Sequence, residues 1–250
     1  LHAEDAARMS TLSKVWLSAW NSLPYLDFGD HIFRRSQRKP HVAIDQILAN
    51  RKRHNNNISI KKFTLWLGRH PGPSCVDEWI NILIACTIKE LNLRINRFFH
   101  QGNVVSYSLP KAIFAAKSLN VLSLAGFKIE FPADDGGMIK FSSLRELHLS
   151  YVFLDEQSIK DLCTNCPNLE GLSLRSFAGL TSFQVGETLP KLKKVNLVTC
   201  EHRPCLLQLV DVAAINLEDL VIYGNLYGNI KVVRINACKA LKRLCLKDVD

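Results

Sequence analysis

Apolar residues recur from residue 88 onward with the spacing L-x-x-L-x-L, in which valine or isoleucine can stand for leucine. Successive copies begin 31, 25, 25, 23, 25 and 24 residues apart. They are Ile88/Leu91/Leu93, Leu119/Leu122/Leu124, Leu144/Leu147/Leu149, Leu169/Leu172/Leu174, Leu192/Val195/Leu197, Leu217/Leu220/Ile222 and Leu241/Leu244/Leu246. A further copy, Ile60/Phe63/Leu65, precedes them by 28 residues. This period predicts a stack of similar turns, each of which contains one short strand.

The spacing inside each copy predicts how the turns bury their apolar side chains. The last two apolar residues lie two positions apart, so on a strand both point to the same face. One short strand cannot bury that face alone, whereas stacked turns bury it beneath a curved parallel sheet. The period is that of leucine-rich repeats, and we predict an α/β leucine-rich-repeat solenoid. A leucine-rich helical bundle is disfavoured because glycine, proline and asparagine break the segments between the copies.

The segments that connect the strands change in character along the chain. Helical periodicity predicts helices over Val76–Ala85 and Leu154–Cys163, with Asp155 as the N-cap of the second. Pro110–Lys117 is predicted to be a short helix with proline near its first turn. After Cys166 only about eleven residues separate the copies, which is too few for a helix. We therefore predict extended chain or short strands around Leu180/Phe183/Val185, residues 206–212 and Ile230/Val233/Ile235.

The basic excess is confined to the N-terminal part of the chain. The net charge is +9, of which residues 1–70 carry +7. Two basic runs, Arg34–Lys39 and Arg51–His54, account for much of it. A solvated loop and helix end explain these runs, and a nuclear-localisation or nucleic-acid patch is the alternative. No aromatic residues interleave with the charges, which argues against a platform for stacking single-stranded nucleic acid.

Other features of the composition exclude several functional classes. The eight cysteines include one C-x-x-C pair, Cys163 and Cys166, whereas a structural zinc site needs four ligands. We predict reduced thiols, no metal and no cofactor. No signal peptide or membrane-spanning run is expected, and this predicts a cytoplasmic or nuclear protein. The chain has no G-x-S-x-G, P-loop or H-E-x-x-H motif, so we do not expect an enzyme.

Two tryptophans near the N-terminus form a second pattern. Leu12, Trp16 and Trp20 are spaced four apart and would make one stripe on a helix, with Ser13 as a possible N-cap. The stripe would either pack onto the first repeat or bind an adaptor protein, because tryptophan often anchors interfaces. For the second role, we expect all three side chains to stay incompletely covered by the core.

Short sequence signatures resemble those of a known family. The N-terminal segments resemble the second half of a plant F-box; they are Asp5-Ala6-Ala7, Thr11-Leu12-Ser13-Lys14, Trp16, Trp20 and Leu26-Asp27-Phe28. Later segments are similar to plant F-box/leucine-rich-repeat proteins related to the FBD class. These are Cys75-Val76-Asp77-Glu78-Trp79-Ile80 with Lys89-Glu90-Leu91-Asn92-Leu93, Leu109-Pro110 with Lys117-Ser118-Leu119-Asn120-Val121-Leu122-Ser123-Leu124, and Cys166-Pro167-Asn168-Leu169-Glu170.

The resemblance implies a domain organisation and a function. Residues 1–30 would be a small helical partial F-box that lacks the usual first half, 31–57 a basic linker and helix, and 58–250 the leucine-rich-repeat domain. Such a protein would be the substrate-recognition subunit of a Skp–cullin–F-box ubiquitin ligase, in which Leu12, Trp16 and Trp20 bind the Skp-type adaptor. The alternative is a stand-alone leucine-rich-repeat module that binds a protein without any ligase.

Strand parity also predicts which side chains would face a protein target. The residues that alternate with the inward leucines should line the concave face. They are Glu90/Asn92/Arg94, Val121/Ser123/Ala125, Glu146/His148/Ser150, Gly171/Ser173/Arg175, Lys194/Asn196/Val198, Asp219/Val221/Tyr223 and Arg243/Cys245/Lys247. Within this set Arg175, Lys194, Tyr223 and Arg243 are the candidate target-binding residues, because tyrosine and arginine often anchor interfaces. Three of the four are cationic, so we predict an acidic or phosphorylated target.

Overall fold

The repeated apolar positions lie on parallel strands in both of the units into which the chain divides, Leu1–Val105 and Ser106–Asp250. The structure is a computed structural model, and it describes residues 12–29, 44–49, 60–67, 73–95, 107–129, 141–186, 188–200, 206–225 and 230–249.

The part of the first unit that the structure describes is built around three parallel strands. Its elements are α1 (Lys14–Ser22), β1 (Tyr25–Phe28), a helical segment over 44–49, β2 (Lys62–Leu67), α2 (Pro73–Ala85) and β3 (Glu90–Ile95). Strand β2 pairs with β1 on one side and with β3 on the other. Ser13 is the N-cap of α1, and its hydroxyl accepts a 3.3 Å hydrogen bond from the Trp16 backbone N–H.

Large side chains fill the core of this unit. Phe63 and Trp79 are almost fully buried, and the Phe28 ring lies 5.6 Å from that of Phe63 between centroids. Burial of an indole requires a partner for its N–H. The Trp79 Nε1 donates a 2.5 Å hydrogen bond to an oxygen of Asp45, which joins α2 to the helical segment over 44–49. This hydrogen bond links two residues that lie 34 positions apart in the sequence.

The second unit contains the remaining strands and two helical elements. In chain order they are β4 (Tyr107–Ser108), a 3₁₀ helix (Lys111–Ala115), β5 (Val121–Ala125), β6 (Phe127–Lys128), β7 (Glu146–Ser150), α3 (Glu156–Asn165), β8 (Gly171–Arg175), β9 (Ser182–Val185), β10 (Lys194–Val198), β11 (Leu209–Val212), β12 (Asp219–Tyr223), β13 (Val232–Ile235) and β14 (Arg243–Lys247). Strands β5, β7, β8, β10, β12 and β14 form one parallel sheet in that order. Strands β9, β11 and β13 form a second parallel sheet, and β4 pairs with β6.

The leucines of the motif form the core that lies between these layers. Leu172 and Leu174 of β8 are at most 1% exposed, and Leu220 and Ile222 of β12 are fully buried. They occupy equivalent register positions on their strands, so each turn covers the apolar face of the previous one. The fold class is therefore the predicted α/β leucine-rich-repeat architecture.

Tight turns after β5, β7 and β8 help to keep the turns in register. Tyr151 and Ser176 follow β7 and β8 with φ values of 53° and 50°, in the left-handed region. Their backbone N–H groups donate to the carbonyls of Arg175 and Val198 in the next turn, at 3.0 and 2.7 Å. The same position after β5 is Gly126, which adopts the left-handed conformation without steric cost.

The structure confirms the predicted connecting segments. Helices α2 and α3 occur where helical periodicity predicted them, and Asp155 is the N-cap of α3. The segments after residue 166 that are too short for helices form β9, β11 and β13. Within the predicted helix Pro110–Lys117, the structure has a 3₁₀ helix of five residues.

The predicted domain boundary at residue 58 falls within the parallel sheet of the first unit. Strand β1 comes from the segment assigned to the partial F-box, yet it pairs in parallel with β2. The sheet of this unit therefore begins before residue 58, the predicted start of the repeat domain. Both basic runs, Arg34–Lys39 and Arg51–His54, lie outside the described residues.

Within the described part of the chain, no helix has the length and apolar character needed to cross a membrane.

Candidate protein-interaction surface

The six-stranded sheet of the second unit has one face that is not covered by the core. We call this the open face; its residues are Val121/Ser123/Ala125, Glu146/His148/Ser150, Gly171/Ser173/Arg175, Lys194/Asn196/Val198, Asp219/Val221/Tyr223 and Arg243/Cys245/Lys247. The burial pattern alternates as strand parity predicted, with the exceptions that Ala125 and Ser173 are buried. In β14 the inward leucines are exposed as well.

A trough of about 720 Å³ lies on the open face. It crosses β5, β7, β8, β10, β12 and β14, and most of its walls are polar side chains. The lining includes Glu146, His148, Arg175, Lys194, Asn196 and Arg243. A groove of this size that is rich in charge suits an extended polypeptide better than a small apolar ligand.

Charged residues alternate in sign along one side of the trough. One charged residue stands just before each of the strands β7, β8, β10, β12 and β14. We call these residues the pre-strand row: Arg145, Glu170, Lys193, Glu218 and Lys242. Glu170 accepts hydrogen bonds from Lys193 at 2.8 Å and from Arg145 at 3.4 Å. Lys242 likewise donates to Glu218 at 2.8 Å. Hydrogen bonding from Lys193 holds the pKa of Glu170 below its ordinary value, so this acid stays ionised.

Arg243 is bound by an acid of the neighbouring strand. Its guanidinium donates two hydrogen bonds to the carboxylate of Asp219, one of them 2.7 Å long. This pairing lowers the pKa of Asp219 and raises that of Arg243. Farther along the trough, Nε2 of His148 lies 3.3 Å from a carboxylate oxygen of Glu146.

Arg175 and Lys194 differ from these paired cations. Both line the trough and are exposed, and neither has a hydrogen bond or ion pair to a described side chain. Lys194 lies opposite Gly171 in the register, and Arg175 ends the same strand as Gly171. Their Cα atoms are about 14 Å apart, a distance that four to five extended residues span. The two cations can therefore contact separate acids of one extended segment.

The four predicted target-binding residues thus occupy different environments. Arg175 and Lys194 make no hydrogen bond or ion pair with a described side chain, whereas Arg243 is neutralised by Asp219. Lys194 lies opposite Asp219 in the register, and its charge also helps to lower the pKa of that carboxyl group. Tyr223 lies on the open face and is 38% exposed, but it does not line the trough. Its hydroxyl lies 3.8 Å from the sulfur of Cys245. Their role in target binding stays a prediction.

One buried polar atom in the trough lacks a partner. The Oδ1 atom of Asn196 is inaccessible to solvent and accepts no hydrogen bond from any described group. Asn196 lines the trough on β10, between Ser173 of β8 and Val221 of β12. An unsatisfied buried acceptor lowers the stability of the fold.

Sequence reasoning missed two features of the outward surfaces. The alternation of the pre-strand row was readable in the sequence, because each of its residues stands directly after the first apolar position of a copy. In the first unit, the side chains of Trp66 and Arg94 stack, with the Arg94 Cζ 4.6 Å from the ring centroid. Trp66 is 39% exposed, and the parity of the Ile60/Phe63/Leu65 copy would have placed it outward.

The predicted adaptor-binding stripe of Leu12, Trp16 and Trp20 is not formed as expected. Helix α1 begins at Lys14, so Leu12 lies before the Ser13 N-cap and outside the helix. Leu12 and Trp16 are 73% and 46% exposed, whereas Trp20 is buried. The prediction of one helical stripe is therefore wrong in the position of Leu12 and in the exposure of Trp20, while Leu12 and Trp16 are incompletely covered as expected. The Ser13 N-cap starts the helix after Leu12, and the core of the first unit buries Trp20. The adaptor-binding role of these residues stays a prediction.

The cysteines show no metal-binding arrangement among the described residues. Cys163 and Cys166 are buried, and both are free thiols. Burial raises the pKa of the Cys163 thiol, and it raises that of Cys166 to about 12. These two thiols are neutral side chains of the core.

A sheet built from stacked L-x-x-L-x-L turns defines a leucine-rich-repeat protein. Residues 76–248 match the family model described as FBD-associated F-box protein At5g56370, LRR repeats. The chain belongs to this family of leucine-rich-repeat segments of plant F-box proteins of the FBD class.

Curated relatives carry the same domain names. The chain is 25% identical over 228 residues to the F-box/FBD/LRR-repeat protein At4g26340 of Arabidopsis thaliana, covering 88% of this chain and 51% of that protein. It is also 25% identical over 206 residues to the Arabidopsis FBD-associated F-box protein At3g52670, covering 81% and 46%. The chain thus spans about half the length of these relatives. No solved structure matches it.

Proposed function

We propose that this chain belongs to the substrate-recognition subunit of a Skp–cullin–F-box ubiquitin ligase, and that it binds a protein target on the open face. The observation that carries the proposal is a leucine-rich-repeat sheet with a polar, charged trough in a chain of the F-box/FBD family. Ubiquitin transfer would take place on other subunits, so the chain itself binds without catalysis. The complex would work in the cytoplasm or the nucleus.

The charges of the trough support an acidic or phosphorylated target. Several of the acids there are already bound by lysine or arginine, as Glu170 is by Lys193 and Asp219 by Arg243, whereas Glu146 contacts only His148. Arg175 and Lys194 stay available, and arginine binds carboxylate and phosphate groups in a bidentate manner. An extended segment with two acids about 14 Å apart would meet both cations at once.

The ligase role is tested by capture of a Skp-type adaptor. The full-length gene product and this 250-residue chain are each incubated with the adaptor, and binding is measured by pull-down and by calorimetry. Binding by the full-length product supports the proposal, and Trp16→Ala in α1 should weaken it. Failure of the full-length product to bind the adaptor overturns the ligase role.

Target recognition is tested separately on the open face. Proteins captured by the wild-type chain from a plant extract are compared with those captured by the double variant Arg175→Glu/Lys194→Glu. The matched control is Lys117→Glu/Lys160→Glu, which makes the same charge change at exposed positions away from the sheet. We expect capture to be lost in the first variant and kept in the control. Equal capture by both variants would place recognition elsewhere.

The second candidate is a stand-alone interaction module, and the arrangement of α1 favours it. Trp20 is buried and Leu12 precedes the helix, so fewer side chains are available to an adaptor than the sequence predicted. In this case the open face still binds its target, but neither the chain nor the full-length product binds the adaptor. The adaptor pull-down distinguishes the two candidates, since only the first requires that contact.

A further inference from the structure

Two exposed aromatic side chains lie just beyond the open face, where β7 ends. Tyr151 directly follows the last residue of β7 and is 42% exposed, and Phe153 is 58% exposed. The residues that alternate with them, Val152 and Leu154, are buried. Parity therefore directs the Phe153 side chain away from the core while its two neighbours fill the core. We call Tyr151 and Phe153 the aromatic rim.

The backbone of the aromatic rim is held by the next turn of the repeat. Phe153 forms a parallel bridge with Ala178. The Ala178 N–H donates to the Val152 carbonyl at 3.0 Å, and the Leu154 N–H donates to the Ala178 carbonyl at 2.9 Å. The rim thus has a fixed backbone although its side chains are exposed. A surface that is already ordered loses less conformational entropy when a partner binds.

A glycine makes room for the Phe153 ring. Gly179 has a φ value of 99°, in the left-handed region that glycine adopts without steric cost. A Cβ atom at this position would clash with the carbonyl oxygen of Leu154 and would lie 2.9 Å from Cε2 and Cζ of Phe153. The ring therefore lies against the bare backbone of Gly179. Its place is set by the fold before any partner binds.

The aromatic rim adjoins one of the two available cations of the open face. The Tyr151 N–H donates to the Arg175 carbonyl at 3.0 Å, and Ala178, the bridge partner of Phe153, stands three residues after Arg175. Three extended residues span about 10 Å. A segment whose acid contacts Arg175 can therefore reach Phe153 with a side chain two or three positions farther along. Lys194 lies on the other side of Arg175, at the beginning of its strand.

We propose that the aromatic rim binds an aromatic side chain of the target, two positions beyond the acid that contacts Arg175. The target segment then has the pattern acid-x-x-x-acid-x-aromatic, read in either chain direction, with its first acid at Lys194. The inference rests on the proposed function, because it uses the two acids assigned there. It adds an apolar determinant: charge alone would admit many acidic segments, whereas an aromatic contact on Tyr151 and Phe153 selects among them.

A second copy of the chain does not supply such a segment. In the sequence, one pair of acids has the spacing of four, Glu130 and Asp134. The residues two positions outside this pair are Lys128 and Gly136, and neither is aromatic. The pattern therefore belongs to a different protein.

The test uses short labelled peptides and the 250-residue chain. The probes are DTATDTFG and the same sequence in reverse order, GFTDTATD, because an extended segment can run either way. Each is compared with a peptide in which serine replaces phenylalanine and with one in which asparagine replaces both aspartates. Fluorescence anisotropy measures binding. In the direction that binds, we expect the phenylalanine peptide to bind about tenfold more tightly than the serine peptide. The asparagine peptide should lose binding at low salt.

Variants of the chain separate the rim from the charges and from folding. Phe153→Ser should remove the preference for the phenylalanine peptide and keep the dependence on aspartate. The matched control is Ile215→Ser, at a position that is 52% exposed and stands before β12, at the opposite edge of the sheet. The control should keep both properties. Both variants should retain the circular dichroism spectrum of the wild type, since both side chains are exposed.

The outcomes distinguish this inference from the proposed function. Equal binding of the phenylalanine and serine peptides, with binding lost in Arg175→Glu/Lys194→Glu, overturns the rim and leaves recognition of acids by the open face intact. Binding that needs neither the aspartates nor the two cations contradicts the charge assignment and the rim together, as does the absence of binding by every peptide. A dimer in sedimentation that Phe153→Ser dissociates shows that a second copy covers the rim, and overturns the inference.

Discussion

Arg243 on β14 donates two hydrogen bonds to the carboxylate of Asp219 on β12, directly opposite in the register. The pairing neutralises one of the three cations that the sequence pattern assigned to target binding. Lys194 and Arg175 have no such partner among the described residues. The open face therefore separates cations that hold neighbouring strands together from cations that are available to a ligand.

The pair leads to a first prediction. Asp219→Asn removes the acid that neutralises Arg243, so the affinity of the open face for polyglutamate should rise about two- to fivefold. Fluorescence anisotropy at two salt concentrations measures the effect, which should shrink as salt rises. The control is Asp161→Asn on α3, which makes the same charge change on another element. An unchanged affinity in Asp219→Asn would contradict the assignment.

The two tryptophans of α1 should respond differently to truncation. Trp20 is buried, so Trp20→Ala should lower the free energy of unfolding by about 3–5 kcal/mol. Trp16 is 46% exposed, and Trp16→Ala should cost much less. Urea denaturation followed by circular dichroism measures both changes. If Trp16→Ala were the more destabilising variant, Trp16 would be a core residue and could not serve an adaptor.

Glu156 at the start of α3 makes stability depend on pH. Its carboxylate accepts hydrogen bonds from the Thr181 hydroxyl, the Thr181 N–H and the Ser182 N–H, at 2.6, 2.9 and 3.1 Å. These bonds lower its pKa from 4.5 to about 2. A depressed folded-state pKa stabilises the fold above the unfolded-state pKa, and this stabilisation is lost as pH falls through the folded-state value.

The matching variant is Glu156→Gln, which keeps the shape but not the charge. The difference in unfolding free energy between wild type and variant should be constant above about pH 5.5 and should shrink between about pH 4.5 and pH 2. Urea titrations at pH 7, 5, 4 and 3 measure it. A difference that grows with acid would show that the carboxylate does not stabilise the fold in its ionised form.

The buried thiols should be protected in the native protein. Cys163 and Cys166 have raised pKa values because of burial, so their thiolate fraction at pH 8 is small. We expect slow iodoacetamide labelling of both sites in the native chain, measured by peptide mass spectrometry. In urea, without reductant, all eight cysteines should react. A count of six or fewer, or bound zinc, would contradict the predicted free thiols.

Equivalent leucines in successive turns should have unequal importance for stability. Leu220→Ala leaves a cavity in a fully buried position and should cost about 2–5 kcal/mol. Leu244 has the same place in its copy of the motif but is 47% exposed, so Leu244→Ala should cost far less. Chemical denaturation compares the two. Similar losses would mean that the Leu244 side chain is covered in solution.

The sequence predicted the repeat architecture because its signal is strictly local. A leucine such as Leu172 must point inward wherever its strand lies, since alternation along a strand has a period of two. The same spacing separated outward Arg175 from inward Leu174, and the structure confirms that separation. Helix caps were equally local: Ser13 and Asp155 accept bonds from residues three positions ahead.

Other properties depended on which turns became neighbours. Arg243 and Asp219 are 24 residues apart in sequence, and only stacking of β14 on β12 brings their side chains together. Trp20 and Trp16 look alike in the sequence, yet the core of the first unit buries one and leaves the other half exposed. The periodic pattern by itself determined the strands, their parity and the fold class. Tertiary packing decided which charges are neutralised and which apolar residues remain accessible, because pairing and burial depend on partners that the local sequence does not contain.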